Sequence, residues 1–155
     1  MDVNEVVAVF TRWLHVASAV VGIGGTVMMR FVVLPALERL PNGGDVLQAI
    51  RPMFKRVIHS AIGLLLLTGF YNYLAVAIPA VRAAREAGNE AIQRYHMVMG
   101  TKILLSLALF VIAILLLKPV PSFHENRKSW LSVNVVLGLL ILLLGAYLRR
   151  LWTAT

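Results

Sequence analysis

Apolar positions along the chain gather into four long runs separated by short polar connections, and each run is long enough to cross a bilayer as a helix. The pattern places spans over about residues 6–34, 53–78, 95–117 and 130–151 of the 155-residue chain. The first run stops at Pro35, which lacks a backbone N–H and marks a helix end. In the connection ALERLPNGGDVLQAIRP, Pro41-Asn42-Gly43-Gly44 is a turn signal, and the second half predicts a short interfacial helix. Span two then starts after Pro52 and runs to Pro79. The Ala-rich, charged segment AVRAAREAGNEAIQRYH predicts helical turns at the interface, broken at Gly88-Asn89. Lys118-Pro119-Val120-Pro121 ends span three, and Trp130 and Trp152 flank span four as interfacial anchors. No repeat of fixed period is visible beyond two hairpins. The fold class is therefore all-α: an integral membrane four-helix transmembrane bundle with short interfacial helices in its loops, one domain over residues 1–155.

The first run is not uniformly apolar. At 100° per residue, Arg12, His15, Ala19, Gly22 and Thr26 share one helix face, with Ser18 and Gly25 beside them. An ionisable group at membrane depth is costly and asks for a named partner. Two readings fit this small, polar stripe. In one, small residues let helices approach closely and His15 is a hydrogen-bonding group within the bundle. In the other, the stripe is a cofactor wall that leaves room for a flat ring, and His15 offers its imidazole to a metal.

Composition narrows the class. The chain is 59% hydrophobic and 14% charged, with a mean hydropathy of +0.81, far from the soluble range. It holds no cysteine, which excludes disulfides, thiolate nucleophiles, cysteine-ligated haem and iron–sulfur clusters. The net charge of +8 comes from Lys and Arg placed mainly at span ends, where they meet phosphate head groups, so the basic balance implies a bilayer and no nucleic acid. Asp2 and Glu5 stand where a signal peptide would carry basic residues, so no cleavable leader is expected.

Alternating span directions put His15, His96 and Lys102 in the same half of the bundle, with His15 roughly 8 Å and His96 roughly 15 Å from the midplane. Tyr71, Asn72, Tyr73, Tyr95, Tyr147 and Arg149 gather in that half too. Lys102 reads either as a lysine reaching out to the head groups or as the counter-charge of a cofactor or anionic substrate. His59 sits about 20 Å from His15 along the normal, too far to ligate the same iron, and reads as interfacial beside Lys55 and Arg56. His124, in a polar loop, reads as solvated. Eight basic residues on one side against seven on the other favour both termini outside.

RWLHVASAVVGIGGTVMMRFVVLPAL, LLLLTGFYNYL, YHMVMGTKILLSLALFVIAILL and WLSVNVVLGLLILLLGAYLR together resemble the small four-span relatives of the CopD copper-resistance membrane domain. They also resemble the HemJ-type protoporphyrinogen oxidases. The latter resemblance implies a b-type haem, with essential histidine and lysine positions that correspond here to His15 and Lys102, and Tyr95-His96 adds a second imidazole at nearby depth.

The sequence thus leads to a haem b protein of the bacterial inner membrane in redox chemistry. Its partner would be a quinone, a cytochrome or a tetrapyrrole substrate. His15 and His96 are the candidate iron ligands. Arg12 and Lys102 neutralise propionates or an anionic substrate, with Lys102 the candidate catalytic group, and Tyr95 and Gly22 line the pocket. The alternatives are copper handling of the CopD type through His15, His96 and methionines, and a structural subunit. Gly22, Gly24 and Gly25 equally suit a homo-oligomer interface.

Overall fold

The computed structural model describes residues 2–86, 88, 94–118 and 125–153, the side chains of 152 and 153 excepted. Six α-helical segments follow in order: α1 (Val3–Met28), α2 (Leu34–Leu37), α3 (Gly43–Tyr71), α4 (Ile78–Glu86), α5 (Tyr95–Leu117) and α6 (Arg127–Thr153). Four continuous helical stretches are long and apolar enough to cross a bilayer: Val3–Leu37, Gly43–Glu86, Tyr95–Leu117 and Arg127–Leu151. The fold is all-α, as the hydropathy pattern requires. Helix α1 pairs with α3 and α5 with α6, and α1–α6 and α3–α5 contacts join the two hairpins. The helices therefore stand in a square with α1 and α5 on one diagonal.

Two prolines do not end helices. Span one crosses Pro35 and continues to Leu37, and span two crosses Pro79 and continues to Glu86. In each case a π-helical turn lies just before the proline, Met29–Val33 and Asn72–Ala77. A proline inside a helix removes one N–H and presses its ring against the carbonyl four residues back, here that of Phe31 or Ala75. Each of those carbonyls lies within a π-helical turn, whose wider winding relieves the clash and lets the helix go on. Pro52 is likewise inside α3, so the expected interfacial helix and span two are one element. There the carbonyl left without a donor belongs to Gln48, an exposed residue that water can reach.

These crossings expose a repeat that hydropathy hides. His15 precedes Pro35 by 20 residues and His59 precedes Pro79 by 20, with Pro-Ala-Leu and Pro-Ala-Val following. At the same offset of 44 residues, Thr68-Gly69 corresponds to Gly24-Gly25.

The turn between α2 and α3 depends on Gly43, because a Cβ there would drive into the Leu37 carbonyl. Gly88 adopts a φ of +83°, which ends the chain's course after α4 as the Gly88 signal predicts. Asn89, Pro119, Pro121 and His124 lie outside the described residues. Span four begins at Arg127, earlier than expected, and Trp130 is half-buried against the Met29–Leu34–Leu116–Leu131 cluster.

Apolar burial sits towards the two ends of the bundle. One cluster is Ala77, Val81, Tyr95 and Leu148; the others centre on Met29, Leu34, Leu116 and Leu131 and on Ile58, Ile62 and Leu117. The buried residues also include Ser18, Thr26, Thr68 and Asn134, each at most 6% exposed. Ser18, Thr26 and Thr68 donate to the carbonyls of Leu14, Gly22 and Leu64 on their own helices, and Asn134 Nδ2 donates to Leu109 O on α5. Without water in the hydrocarbon, this internal bonding is what lets polar groups stay there. Small polar residues are thus buried within the bundle, Ser18 and Thr68 on α1 and α3, and Thr26 and Asn134 beside Met29, Ile58 and Leu131.

Candidate functional site

Helix α1 lies antiparallel to α3, with Thr11 donating to Asn72 Oδ1 at 3.3 Å and Gly22 facing Ala61. In that register His15 meets Thr68-Gly69. His15 Nδ1 lies 2.9 Å from Thr68 Oγ1, and Thr68 Oγ1 donates its single hydrogen to the Leu64 carbonyl. The hydroxyl can then only accept from the ring, which assigns the proton to Nδ1 and leaves the lone pair on Nε2. Gly69 is part of the same fit: a Cβ there would stand 3.3 Å from His15 Cε1. A hydroxyl and a missing side chain on α3 therefore hold the imidazole in one tautomer and one place.

Lys102 reaches inward from α5, and its Nζ would stand 3.6 Å from a Cβ on Gly145 of α6. The ammonium is thus turned towards the bundle and not out to the lipid head groups. The chain's acidic residues are Asp2, Glu5, Glu38, Asp45, Glu86, Glu90 and Glu125, all at span ends or in connections. Arg12 is exposed one turn before His15, so His15, Lys102 and Arg12 share a half of the bundle whose span interiors carry no carboxylate, a charge balance that suits an anionic ligand.

The other expected residues divide. His96 is exposed, with Nδ1 3.3 Å from Tyr73 Oη and its ring edge-on to Tyr73 and Tyr95. Tyr73 lies five residues beyond Thr68, about 7 Å by helical rise, so the two imidazoles are anchored at different depths and on different faces. Tyr95 is buried in the apolar cluster beneath. Gly22 serves the close α1–α3 approach, its Cβ position 3.8 Å from Ala61. His59 is exposed on α3, with Nδ1 2.8 Å from the Lys55 carbonyl. Among the described residues no group of three or more His, Asp or Glu side chains is arranged to hold a metal by itself.

The pattern of apolar positions points to His15 and Lys102 but misses Thr68 and Gly69, which lie in a run of leucines. The signal available is the 44-residue offset, which sets Thr68-Gly69 against Gly24-Gly25. Comparison with protein-family models, with curated proteins and with solved structures returns no match to this chain.

Proposed function

We propose that this is a membrane redox protein that carries b-type haem in the His15 half of the bundle. The observation that carries the reading is the His15–Thr68–Leu64 hydrogen-bond chain, which leaves an imidazole Nε2 unprotonated at membrane depth. An Nδ1–H held by a neighbour is the usual way a protein fixes the tautomer and strengthens a metal-binding imidazole. The donor set suits haem in a second respect, since Arg12 and Lys102 can balance two propionates that the span interiors could not otherwise accommodate. Bound haem would supply one-electron chemistry to a quinone, a cytochrome or a tetrapyrrole substrate.

The chain's own residues then have distinct tasks. His15 would hold the iron, Thr68 would orient His15, and Arg12 and Lys102 would place the carboxylates. Lys102 is also the group that could hand a proton to an anionic substrate. Opposed imidazole nitrogens on one haem stand only ~4 Å apart, whereas the His15 and His96 anchors differ by about 7 Å in depth. The geometry therefore favours His15 as sole protein ligand, with His96 and Tyr73 at the mouth. Such an iron would be high-spin and open to a small ligand. We place the protein in a bacterial inner membrane with both termini outside.

A second reading rests on Gly22 against Ala61 and on His15 lying within the α1–α3 contact: the histidine is then polar glue in a structural subunit. Absorption spectra of the purified protein, oxidised and dithionite-reduced, separate the two. A Soret band that disappears in His15→Ala and persists in His96→Ala supports the haem reading. A colourless wild type expressed with ample haem would sink it, and metal analysis would then separate copper handling from a structural role.

A further inference from the structure

Away from His15, two spaces share one side chain. An outer cavity of about 490 Å³ opens where α2 and the start of α3 meet the start of α6, lined by Leu34, Glu38, Gly43, Leu47, Arg127 and Lys128 among others. An inner void of about 20 Å³ lies within the bundle, lined by Thr26, Met29, Ile58, Leu131, Asn134 and Arg127 among others. Arg127 borders both. The inner void is just large enough for one water, which requires on the order of 10–15 Å³ and two to four polar partners.

Those partners are at hand. Thr26 has given its hydrogen to the Gly22 carbonyl and keeps its oxygen lone pairs. Asn134 is 3% exposed, and with Nδ2 bonded to Leu109 O its amide oxygen is still an acceptor. Arg127 brings only donors. A single water in the void could serve all three residues, accepting from the guanidinium while donating to Thr26 and Asn134. Asn134 lies seven residues beyond Arg127, about 10 Å into the bundle by helical rise.

We propose that the inner void is a water site and that Arg127 passes water between it and the outer cavity, forming a hydrated inlet from the Arg127 end towards the buried Thr26 and Asn134. The inlet does not depend on haem. It would admit water, and with it protons, from the side opposite the His15 cluster.

Adjacent methionines give the test an internal control in the unaltered chain. Met29 is 3% exposed and lines the void, whereas Met28 is 54% exposed on the outer face of the same helix, where lipid covers it. Pulsed radiolytic hydroxyl-radical footprinting of the full chain in lipid nanodiscs, read by mass spectrometry, oxidises side chains next to bound water. The expected result is several-fold faster sulfoxide formation at Met29 than at Met28, with Asn134→Leu bringing Met29 down to the Met28 rate. Brief mixing into ¹⁸O-water before the pulse should carry the heavy isotope into the Met29 sulfoxide, and Arg127→Leu should slow that uptake. Equal rates at Met28 and Met29 in the wild type would overturn the water site whether or not the variants fold. An oxidised Met29 that takes up no ¹⁸O would overturn the inlet, because the water would then be sealed.

Discussion

His15 and His59 occupy equivalent places in the 44-residue repeat, each 20 residues before a proline that its helix crosses, and they have opposite fates. His15 is drawn across to α3, where Thr68 accepts its Nδ1–H and Gly69 leaves space for the ring. For His59 the counterpart pair on α1 is Gly24-Gly25. Gly24 offers no hydroxyl, and the space around Gly25 is taken by Phe54 and Ile58. The ring turns back to its own helix and bonds the Lys55 carbonyl. The two histidines differ less in their own sequence surroundings than in what the facing helix presents. A histidine in a membrane helix becomes a site when its neighbour supplies both an acceptor and room for the ring.

The largest expected contrast follows directly. On the proposed haem reading, His15→Ala should abolish haem binding, while His59→Ala should leave the spectrum and the haem stoichiometry of the wild type unchanged. Loss of haem in His59→Ala with retention in His15→Ala would invert the comparison. Next in size is the hydroxyl. Thr68→Val keeps the side chain's shape but removes the acceptor of the Nδ1–H, and loss of such an orienting bond should weaken haem retention by about 10–100-fold. Haem dissociation to an apo-globin acceptor measures it, and an unchanged rate would show that Gly69 and packing alone orient the ring.

The fold is legible in the sequence because twenty-residue apolar runs admit few structures in a bilayer other than helices. Span three is legible to its ends, since a tyrosine–histidine start and a Lys-Pro finish leave little choice. Spans one and two are not, because prolines at 35, 52 and 79 look like stops when only the local chain is considered. Whether a π-helical turn absorbs the proline is decided by packing along the whole helix. The site is half legible for a related reason. His15 and Lys102 stand out as polar residues in apolar runs, but the inward direction of Lys102 depends on Gly145 of another helix. Small and aromatic residues suit a pocket, which is the role the sequence offers for Gly22 and Tyr95. In the structure Gly22 lies against Ala61 where α1 packs on α3, and Tyr95 is buried with Ala77, Val81 and Leu148.

The cations sharpen the contrast by a smaller amount. Lys102→Gln removes a positive charge from the His15 half and leaves the imidazole in place. The oxidised iron, with its extra positive charge, is then better tolerated, so the reduction potential should move to more negative values with the Soret band retained. A redox titration reads the shift, and an unchanged potential would place Lys102 away from the iron. Gly69→Ala should act more weakly still. Its new Cβ at 3.3 Å from His15 Cε1 requires the ring to give by a few tenths of an ångström, whereas Gly25→Ala meets Phe54 at an ordinary 3.5 Å. The first should broaden or shift the Soret band slightly and the second should leave it alone.

The smallest effect should come from making the weaker histidine's surroundings more like the stronger one's. Gly24→Thr places at the equivalent position the hydroxyl that Thr68 supplies, and a side chain fits there because a Cβ at Gly24 meets nothing within 4 Å. The new hydroxyl would donate to the Val20 carbonyl, as Thr68 does to Leu64, and turn its lone pairs towards α3. His59 would then have to exchange its bond to Lys55 O for one to the introduced hydroxyl. Exchanging one neutral hydrogen bond for another changes the free energy by less than the ~1 kcal/mol that a single such bond contributes. Lys55 and Arg56, the cations next to His59 on α3, are exposed on the surface of that helix. A pyridine haemochrome assay should therefore still count one haem per chain. A second equivalent in Gly24→Thr would show that a facing hydroxyl suffices to make a membrane histidine a haem ligand, and would leave Arg12 and Lys102 without the role assigned to them.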